Sequence, residues 1–411
     1  MGNLDYTQVL NKIENTRRFG NEPGVVVTAQ VIKVLREKGK QKRIIPYIHV
    51  AGTNGKGSVC AFFSSILKKE HMRVGTFVSP HLVDFEERIT VDGRMIAKED
   101  VTRLGNYLLD IDFGIGLTMF DYCLAMALLY FEEQQCDYMV IETGLGGRLD
   151  STNAIGTPQC AVITKIGYDH MAILGSDIAD IAAEKAGIIK ENGTVVVEQQ
   201  DKRAMQVIEQ EAQKKHARII TVEQSDIARC SGYALRLCGT FQWENAAAAE
   251  LAARYVLGKH YSGPEYEMQY DKTEPKREGT DLNKRIKSAL EEAVWPGRME
   301  IVSKEPFLLV DGAHNSNGVD ALKESLMQMY PGEKFCFFMG VMADKDYDVM
   351  IREILPLAEE FYTVTPDSDR ALQASHLADF IRKEGVEATE LSGVDEIRKH
   401  LKRDTKNVAF G

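Results

Sequence analysis

The sequence has 411 residues, of which 44% are hydrophobic and 27% are charged, and its formal net charge at pH 7 is −11. These values are typical of a soluble globular enzyme of roughly two or three domains. The acidic balance argues against a nucleic acid or an anionic membrane as partner. Because the N-terminus has no apolar signal core and no stretch approaches the ~18 apolar residues of a membrane span, we expect a cytoplasmic protein.

The first part of the chain alternates short apolar runs with longer helical patterns. Apolar runs rich in β-branched residues predict strands at 47–51, 74–79, 138–143, 161–166 and 194–198. Helical periodicity predicts helices at 58–71 and 120–134. Continuous apolar strands separated by helices favour a parallel sheet covered on both faces.

A second α/β series follows Trp295-Pro296-Gly297. Its predicted strands lie at 307–311, 334–339, 361–364 and 407–410, and its predicted helices at 319–330, 347–359 and 375–383. We therefore predict two domains, residues 1–294 and 295–411. The polar segment 259–287 is rich in turn formers, and we interpret it as a surface insertion leading into the interdomain connection.

Cysteine usage indicates a reducing compartment. The seven cysteines are scattered without the paired spacing of a zinc site or a redox motif, and most lie in apolar runs, as Cys123 does. Such residues are usually small buried side chains.

A glycine-rich loop at residues 52–58, Gly-Thr-Asn-Gly-Lys-Gly-Ser, follows the first strand and opens a helix. Small residues let backbone N–H groups converge on a phosphate, and the helix N-terminus adds positive charge. A lysine there can neutralise phosphate oxygens, and a serine hydroxyl can reach Mg²⁺. The alternative is a glycine-rich turn with an incidental lysine. The predicted nucleotide-binding residues of the loop are Asn54, Gly55, Lys56, Gly57 and Ser58.

This loop resembles that of the Mur ligase and folylpolyglutamate synthase superfamily. Further segments, in the expected order, are similar to the folate branch of that superfamily. These segments are Ser-Pro-His-Leu at 79–82, Glu-Arg-Ile at 87–89, the glycine-rich segment 142–153, Asp-His at 169–170, Glu-Lys-Ala-Gly-Ile at 184–188, Phe-Gln-Trp-Glu-Asn at 241–245, Gly-Arg at 297–298 and Asp-Gly-Ala-His-Asn at 311–315.

The resemblance implies a fold and a reaction. Residues 1–294 would form an α/β P-loop ATPase domain of the Mur ligase type with folate-binding loops, and residues 295–411 a smaller Rossmann-like domain, with substrates in the cleft between them. ATP would phosphorylate a folate carboxylate, and L-glutamate would then form the amide, with release of ADP and phosphate. Whether dihydropteroate is also a substrate is left open. The implied assembly is a monomer.

A buried carboxylate at the end of a strand suggests a metal site. Glu142 ends the apolar strand 138–141, where a carboxylate is costly unless a metal or another partner meets it. A capping or salt-bridge role is the alternative. The resemblance implies that Ser58, Ser79 and Glu142 hold one Mg²⁺ and that His170 holds a second. By residue type alone, Ser79 is more often a turn residue and His170 is more often a structural histidine.

Lys185 falls on the apolar side of the predicted helix 177–185, four and seven residues after its two isoleucines. The alternative is a lysine that reaches solvent near the end of a helix. The resemblance implies that Lys185 is carbamylated by CO₂ and helps to hold the metal site. With His170 and His314, it completes the catalytic candidates.

Three further residues match ATP contacts of the family, namely Asn245, Arg298 and Asp311. His314 is the candidate for the glutamate or acyl-phosphate side, with a helix-capping loop as the alternative for 311–315. The folate pocket rests on weaker matches, because Phe120 is explained equally well by core packing. The candidates for this pocket are Thr118, Phe120, Asp121, Leu149, Asp150 and Ser151.

Two competing functions remain. A Mur-type ligase of cell-wall precursors shares the phosphate loop, but the glycine-rich segment 144–153 favours folate, and only residues 1–46 precede the first strand. We therefore expect no additional N-terminal domain of the Mur type. A kinase or regulatory ATPase without ligase activity is disfavoured because Glu142, His170, Lys185 and His314 are all present.

Overall fold

The computed structural model describes residues 3–17, 20–262 and 279–411. The chain forms two compact units, each with its own sheet. The first unit takes in the chain up to Ile166, then His170–Ala234 and Glu244–Ala293. The second consists of Gly167–Asp169, Leu235–Trp243 and Val294–Gly411. Two short segments from the earlier part of the sequence, 167–169 and 235–243, therefore belong with the later part.

The first unit contains an eight-stranded sheet in the order β4-β3-β2-β5-β1-β6-β7-β8. The strands β2, β5, β1, β6, β7 and β8 run parallel to one another. Strands β3 and β4 pair antiparallel at one edge, and the sequence analysis did not predict them. The strands are β1 Tyr47–Ala51, β2 Val74–Phe77, β3 Ile89–Val91, β4 Arg94–Met95, β5 Tyr138–Glu142, β6 Cys160–Ile163, β7 Thr194–Val197 and β8 Arg218–Thr221.

The helices of this part of the chain follow the strands in the alternation that the sequence predicts. They are α1 Tyr6–Glu14, α2 Gly24–Glu37, α3 Lys56–Lys69, α4 Lys98–Leu109, α5 Met119–Glu133, α6 Met171–Leu174, α7 Ile178–Ala186, α8 Lys202–Lys214, α9 Gln224–Ser231, α10 Phe241–Ser262 and α11 Gly279–Glu292.

Both faces of this sheet are covered, because every residue of the central strands β1 and β5 is buried. Tyr47 and Met139 lie on one face, in a core shared with α2 and α5. Tyr138 points to the other face, where its ring centroid lies 6.3 Å from that of Phe63 on α3. Side chains alternate between the faces of a strand, so a strand buried on both sides is largely apolar, and His49 and Glu142 are the exceptions here. The prediction of a sheet covered on both faces is confirmed.

The second unit contains a six-stranded sheet in the order β13-β12-β11-β14-β10-β9, parallel except for the edge strand β9. Phe335, Phe337 and Phe361 are fully buried at its centre. The strands are β9 Glu300–Lys304, β10 Phe307–Asp311, β11 Phe335–Met339, β12 Ala358–Thr363, β13 Ala388–Glu390 and β14 Lys406–Phe410. The helices are α12 Ser316–Met329, α13 Tyr347–Ile354, α14 Ala374–Lys383 and α15 Ile397–His400.

Two predicted segments differ from the structure. The helix predicted at 347–359 ends at Ile354, because Pro356 cannot continue it and β12 begins at Ala358. Of the insertion predicted at 259–287, residues 263–278 lie outside the described residues, and 279–287 are helical in α11 rather than irregular.

The seven cysteines are all free, six of them buried and Cys238 partly exposed. In the described ranges, no helix is both long enough and apolar enough to cross a membrane.

Candidate nucleotide and ligation site

The phosphate loop lies between β1 and α3, at the carboxyl edge of the first sheet. Gly55 immediately precedes α3 with φ of 88°, a left-handed conformation that favours glycine. A Cβ atom at this position would come within 2.3 Å of Asn245 Oδ1. Asn245, a predicted nucleotide contact, is buried on α10 and therefore lies directly against the loop.

The backbone of the loop is fixed to the end of the neighbouring strand β6. Thr53 and Asn54 donate their N–H groups to Lys165 O at 2.9 and 3.3 Å. The hydroxyl of Thr164 donates to Asn54 O at 2.6 Å. These bonds direct the N–H groups of Thr53 and Asn54 to Lys165 and the Asn54 carbonyl to Thr164, which fixes the backbone conformation of the loop.

Two lysine ammonium groups converge on the loop. Lys56 Nζ donates to the carbonyls of Gly52 and Thr53, each at 3.2 Å. Lys185 Nζ, from the buried side of α7, donates to the same Gly52 carbonyl at 2.8 Å. The ammonium of Lys56 would therefore supply positive charge for a triphosphate at this loop, although the protein as a whole is acidic, whereas Lys185 is the residue predicted to carry a carbamate.

Glu142 stands beside this cationic pair. Its side chain is buried at the last position of β5, and Oε1 lies 3.9 Å from Lys56 Nζ. Oε2 accepts the N–H of Ser79 at 2.9 Å. The structure thus brings together Lys56, Ser79, Glu142 and Lys185, four residues that are far apart in sequence.

The donor set around Glu142 fits Mg²⁺ better than a softer metal. Within the described part of the chain, no group of three or more His, Cys, Asp or Glu side chains is arranged to hold a metal ion. Mg²⁺ needs no such cage, because it is usually held by one or two carboxylates together with water and substrate phosphates. Glu142 would supply the carboxylate, and Ser58 in the first turn of α3 and Ser79, which the sequence analysis assigned to the same ion, would supply hydroxyl groups.

His170 is placed differently from the other metal candidates. It is exposed, adopts a left-handed conformation with φ of 51°, and immediately precedes α6. Its carbonyl accepts the N–H groups of Ile173 and Leu174. Its role as a ligand of a second ion stays a prediction.

Asp150 organises the glycine-rich loop that follows Glu142. Its buried carboxylate accepts the N–H groups of Gly144 at 3.0 Å and Leu145 at 2.9 Å. It also accepts both the N–H and the hydroxyl of Thr152. Burial raises the pKa of Asp150, and these hydrogen bonds oppose the rise. The side chain predicted to contact folate is therefore occupied in shaping the loop.

The sequence analysis gave His49 no role, yet it connects this loop to β1. The hydroxyl of Thr152 donates to Asp150, so it accepts a hydrogen bond from His49 Nε2, at 2.7 Å. Burial lowers the pKa of His49 to about 3, with a smaller contribution from the charge of Lys190. A histidine inside a strand that is otherwise apolar was the signal that could have revealed this link.

Three of the folate candidates form one hydrogen-bonded group. Asp121 is buried, and its Oδ1 accepts the Ser151 hydroxyl at 2.6 Å. Its Oδ2 accepts the N–H and hydroxyl of Thr118 at 2.9 and 2.7 Å, which caps the start of α5. This group fixes the N-terminus of α5 to the segment after the glycine-rich loop.

The other two folate candidates are apolar and lie in different environments. The Phe120 ring packs edge-on against Phe77, with centroids 5.5 Å apart. Leu149 is 46% exposed, and its carbonyl accepts the N–H of Val25 at 3.0 Å. An exposed leucine on a braced loop is a surface that an apolar ring can cover. Phe120 is half-buried at the margin of the core, and its contact with folate stays a prediction.

The nucleotide candidates of the second unit lie where β10 ends. Asp311 is buried and accepts the N–H of Met299 at 2.8 Å. Burial raises its pKa, and the guanidinium of Arg298 opposes the rise. Arg298 itself donates to Gly312 O at 3.1 Å. Both side chains therefore brace the loop that carries His314.

His314 has two polar neighbours in the second unit. Its Nδ1 donates to Gly312 O at 2.8 Å, because a carbonyl can only accept. Its Nε2 lies 3.5 Å from Asp169 Oδ2. Asp169 was noted in the sequence only as part of a motif, and no pattern could show which residues it would meet.

Comparison with known families and structures agrees with this geometry. The Mur ligase middle domain model matches residues 50–231, and the model described as Mur ligase, glutamate ligase domain matches residues 297–408. The Bacillus subtilis protein named dihydrofolate synthase/folylpolyglutamate synthase is 34% identical over 401 residues, which cover 91% of this chain and 88% of that protein.

Two solved structures illustrate the same architecture with ligands bound. Escherichia coli FolC in complex with DHPP and ADP superposes with a TM-score of 0.80 at 26% identity, covering 99% of this chain and 95% of that one. The bifunctional folylpolyglutamate synthase/dihydrofolate synthase of Yersinia pestis, complexed with AMPPNP and a Mn ion, gives a TM-score of 0.81 at 25% identity, with coverage of 99% and 95%.

Proposed function

Because this chain belongs to the dihydrofolate synthase/folylpolyglutamate synthase family of Mur ligases, we propose that it joins L-glutamate to the carboxylate of a folate in an ATP-dependent, ADP-forming reaction. The observation that carries the proposal is the convergence of Lys56, Lys185 and Glu142 on one phosphate loop. The loop braced by Asp150 begins two residues after Glu142. Nucleotide chemistry and acceptor binding are thus assigned to adjacent parts of one sheet edge.

The reaction has two steps. A carboxylate oxygen of the folate attacks the γ-phosphorus of ATP, the bond to the bridging oxygen breaks, and ADP leaves. The amine nitrogen of glutamate then attacks the carbonyl carbon of the acyl phosphate, the amide forms, phosphate leaves, and the amine gives up one proton. Both steps bring anions together, so positioning and charge neutralisation dominate catalysis.

Each side chain has a role in this proposal. Lys56 and the N-terminus of α3 bind the triphosphate, with Asn54, Gly57 and Asn245 around the nucleotide. Glu142, Ser58 and Ser79 would hold one Mg²⁺, and His170 with a carbamylated Lys185 would support a second. A bound ion would supply neutralisation of phosphate charge. The manganese complex of the Yersinia relative supports the use of a divalent ion in this family.

Dihydropteroate is proposed as a second acceptor. Two observations support this: the Bacillus relative carries both activities in its name, and the Escherichia structure holds DHPP together with ADP. We further propose a cytoplasmic monomer. Seven free cysteines fit a reducing compartment.

A single assay tests these assignments. Phosphate release is measured with ATP, labelled L-glutamate and either tetrahydrofolate or dihydropteroate, and then with each substrate omitted in turn. The proposal expects release that requires both the acceptor and glutamate, with label in an amide product. Release with a cell-wall precursor instead, or from ATP alone, would assign the chain to one of the other two functions. Product formation with only one of the two acceptors would show that the protein has a single activity.

A further inference from the structure

The carboxylate of Asp169 holds together three side chains of the second unit. Its Oδ1 accepts the ammonium of Lys345 at 2.6 Å, and its Oδ2 accepts Asn315 Nδ2 at 3.0 Å. The same Oδ2 lies 3.5 Å from His314 Nε2. The side chains of Asp169 and Lys345 are only 8% and 14% exposed, so this is a partly buried charge pair rather than a surface contact.

The short segment that carries Asp169 is itself fixed to the second unit. Tyr168 donates its N–H to Asn317 Oδ1 at 3.2 Å. At Gly167, a Cβ atom would lie 2.2 Å from that same oxygen, so a larger residue there would displace the Asn317 side chain. The position of Asp169 is therefore set by its own backbone as well as by its partners.

The partners of Asp169 belong to two loops at the carboxyl edge of the second sheet, with His314 and Asn315 in the loop between β10 and α12. Asn315 caps α12 by accepting the N–H of Gly318 at 2.8 Å, so the amide group is fixed at both ends. His314 is tied to Gly312 O. Lys345 comes from the loop between β11 and α13. One carboxylate thus sets the distance between the His314 loop and the Lys345 loop.

The geometry points to a role for Asp169 in the second step of ligation, an inference that rests on the function proposed above. We propose that Asp169 is a positioning residue, which holds His314 and Lys345 in place for attack by the glutamate amine. Two observations support this step over the first. The two lysines at the phosphate loop, Lys56 and Lys185, donate hydrogen bonds to Gly52 O in the first unit. The cluster around Asp169 instead lies on residues 297–408, which match the model described as a glutamate ligase domain.

The charges of the cluster fit such a role. Glutamate presents two carboxylates and one amine. Lys345 is a donor group whose position Asp169 sets, and His314, whose Nδ1 proton goes to Gly312 O, presents Nε2 beside the same carboxylate. Replacing the carboxylate of Asp169 by an amide would leave Lys345 with a weaker partner and permit both side chains to move. A displacement of ~1 Å in a positioning group costs on the order of 10²-fold in rate.

The test separates the two steps by trapping the acyl phosphate. Hydroxylamine supplied in place of glutamate converts the acyl phosphate to a hydroxamate without needing a glutamate site. We compare wild type with Asp169→Asn and measure the rates of glutamate product and of hydroxamate, together with KM for glutamate. The expected result is a loss of about 10- to 100-fold in glutamate ligation, with hydroxamate formation within about threefold of wild type.

Three further variants make the outcome decisive. Asp344→Asn is the matched control, because it removes the carboxylate next to Lys345 in the sequence, which pairs with the exposed Arg370. This variant should change neither the rate of glutamate product nor that of hydroxamate. Lys345→Gln should also lower the ratio of glutamate product to hydroxamate. In the double variant Asp169→Asn/Lys345→Gln, this ratio should be no lower than in the single variants. Asp169→Glu, which keeps the charge, should restore part of the ratio. If Asp169→Asn does not yield folded protein, Lys345→Gln carries the comparison.

The inference is overturned if both rates fall together or if neither falls. The proposed function fails in a different way, because wild-type protein would then form neither glutamate product nor hydroxamate with any folate acceptor.

Discussion

His49 Nε2 and the Thr152 hydroxyl form a hydrogen bond of 2.7 Å between residues that lie 103 positions apart in the chain. His49 belongs to the strand that leads into the phosphate loop, whereas Thr152 belongs to the segment that Asp150 braces. Because Thr152 also donates to Asp150, the three side chains form one buried series of hydrogen bonds. A disturbance of any member is expected to reach both loops.

The neutral state of His49 should make the protein sensitive to acid. Its pKa lies at about 3 in the folded protein, against 6.5 as the ordinary value, because burial disfavours the charged imidazole. As the pH falls below about 6.5, only the unfolded chain gains this proton, so stability is lost down to about pH 3 at up to ~1.4 kcal/mol per pH unit.

The variant His49→Gln isolates this effect, since an amide can donate to Thr152 but does not titrate. Between pH 7.5 and pH 5, its free energy of unfolding should improve relative to wild type by about 2 kcal/mol, as measured by urea denaturation. A difference in unfolding free energy that does not change with pH would show that His49 takes up a proton in the folded state as readily as in the unfolded chain.

Lys56 should be required for phosphoryl transfer. The variant Lys56→Met removes the ammonium that bonds to the phosphate loop at Gly52 and Thr53, and we expect ADP formation to fall by about 10²- to 10³-fold. Lys69→Met is the matched control at the other end of α3, because Lys69 pairs only with the exposed carboxylate of Glu292 in the described contacts. If the two variants form ADP at similar rates, Lys56 does not act on the nucleotide.

Gly55 should resist replacement for two reasons, its backbone conformation and the proximity of Asn245. The variant Gly55→Ala incurs left-handed strain of about 1–2 kcal/mol and also a clash with Asn245 Oδ1. Gly93→Ala has the same kind of strain, with φ of 77°, but meets nothing within 4 Å. We expect a loss of ATP affinity, by isothermal titration, for Gly55→Ala only. Equal losses of ATP affinity in the two variants would show that the contact with Asn245 is not the cause.

Lys185 provides the test of carbamylation. A carbamylated Nζ keeps one N–H, so the bond to Gly52 O at 2.8 Å can persist while the new carboxylate faces a metal ion. Protein crystallised with Mg²⁺, nucleotide and bicarbonate should show density for the carbamate, and Lys185→Arg should lose activity by about 10²-fold. An unmodified Lys185 in an active crystal loaded with metal would contradict the prediction.

Glu198 should weaken the fold as the pH rises. It is buried directly after β7, Oε2 accepts the N–H of Lys165 at 2.8 Å, and Oε1 has no hydrogen-bond partner among the residues that the structure describes. Burial, with the nearby charge of Glu244, raises its pKa well above 4.5. The carboxyl group therefore stabilises the folded state at low pH, and this contribution is lost as the pH rises toward the folded-state pKa.

The variant Glu198→Gln should therefore gain stability over wild type between pH 5 and pH 8, by at most about 1.4 kcal/mol per pH unit. Glu191→Gln, at an exposed position ahead of the same strand, is the control and should show no such trend. Thermal unfolding at several pH values makes the comparison. A constant difference for Glu198→Gln would mean that its carboxyl group is ionised when buried.

The sequence determined those features that are local in the chain. Strand β1 and strand β10 begin and end at the predicted residues, because five consecutive apolar or strand-ending residues are bounded by turn formers. The phosphate loop is contiguous, so its glycines, Lys56 and the helix start could be identified directly. The fold class and the family that these motifs predicted are confirmed by the comparisons.

Weakly patterned elements were missed. Strands β3, β4 and β13 have only two or three residues, β8 is partly exposed, and β9 is largely exposed. Such strands bury little apolar area and leave little periodicity to detect. They form because a neighbouring strand offers its hydrogen-bonding groups, which is a property of the assembled sheet.

Only the tertiary structure decided which charged side chains meet. Lys185 reaches a carbonyl 133 residues earlier, and Asp169 reaches Lys345 across 176 residues. No pattern in one sequence encodes such pairs, because hydrophobic periodicity specifies which face of an element is buried but not which loops meet at a sheet edge. The order of strands in the sheet makes that choice, and the cost of burying an unpaired charge then requires that each ammonium and carboxylate find a partner there.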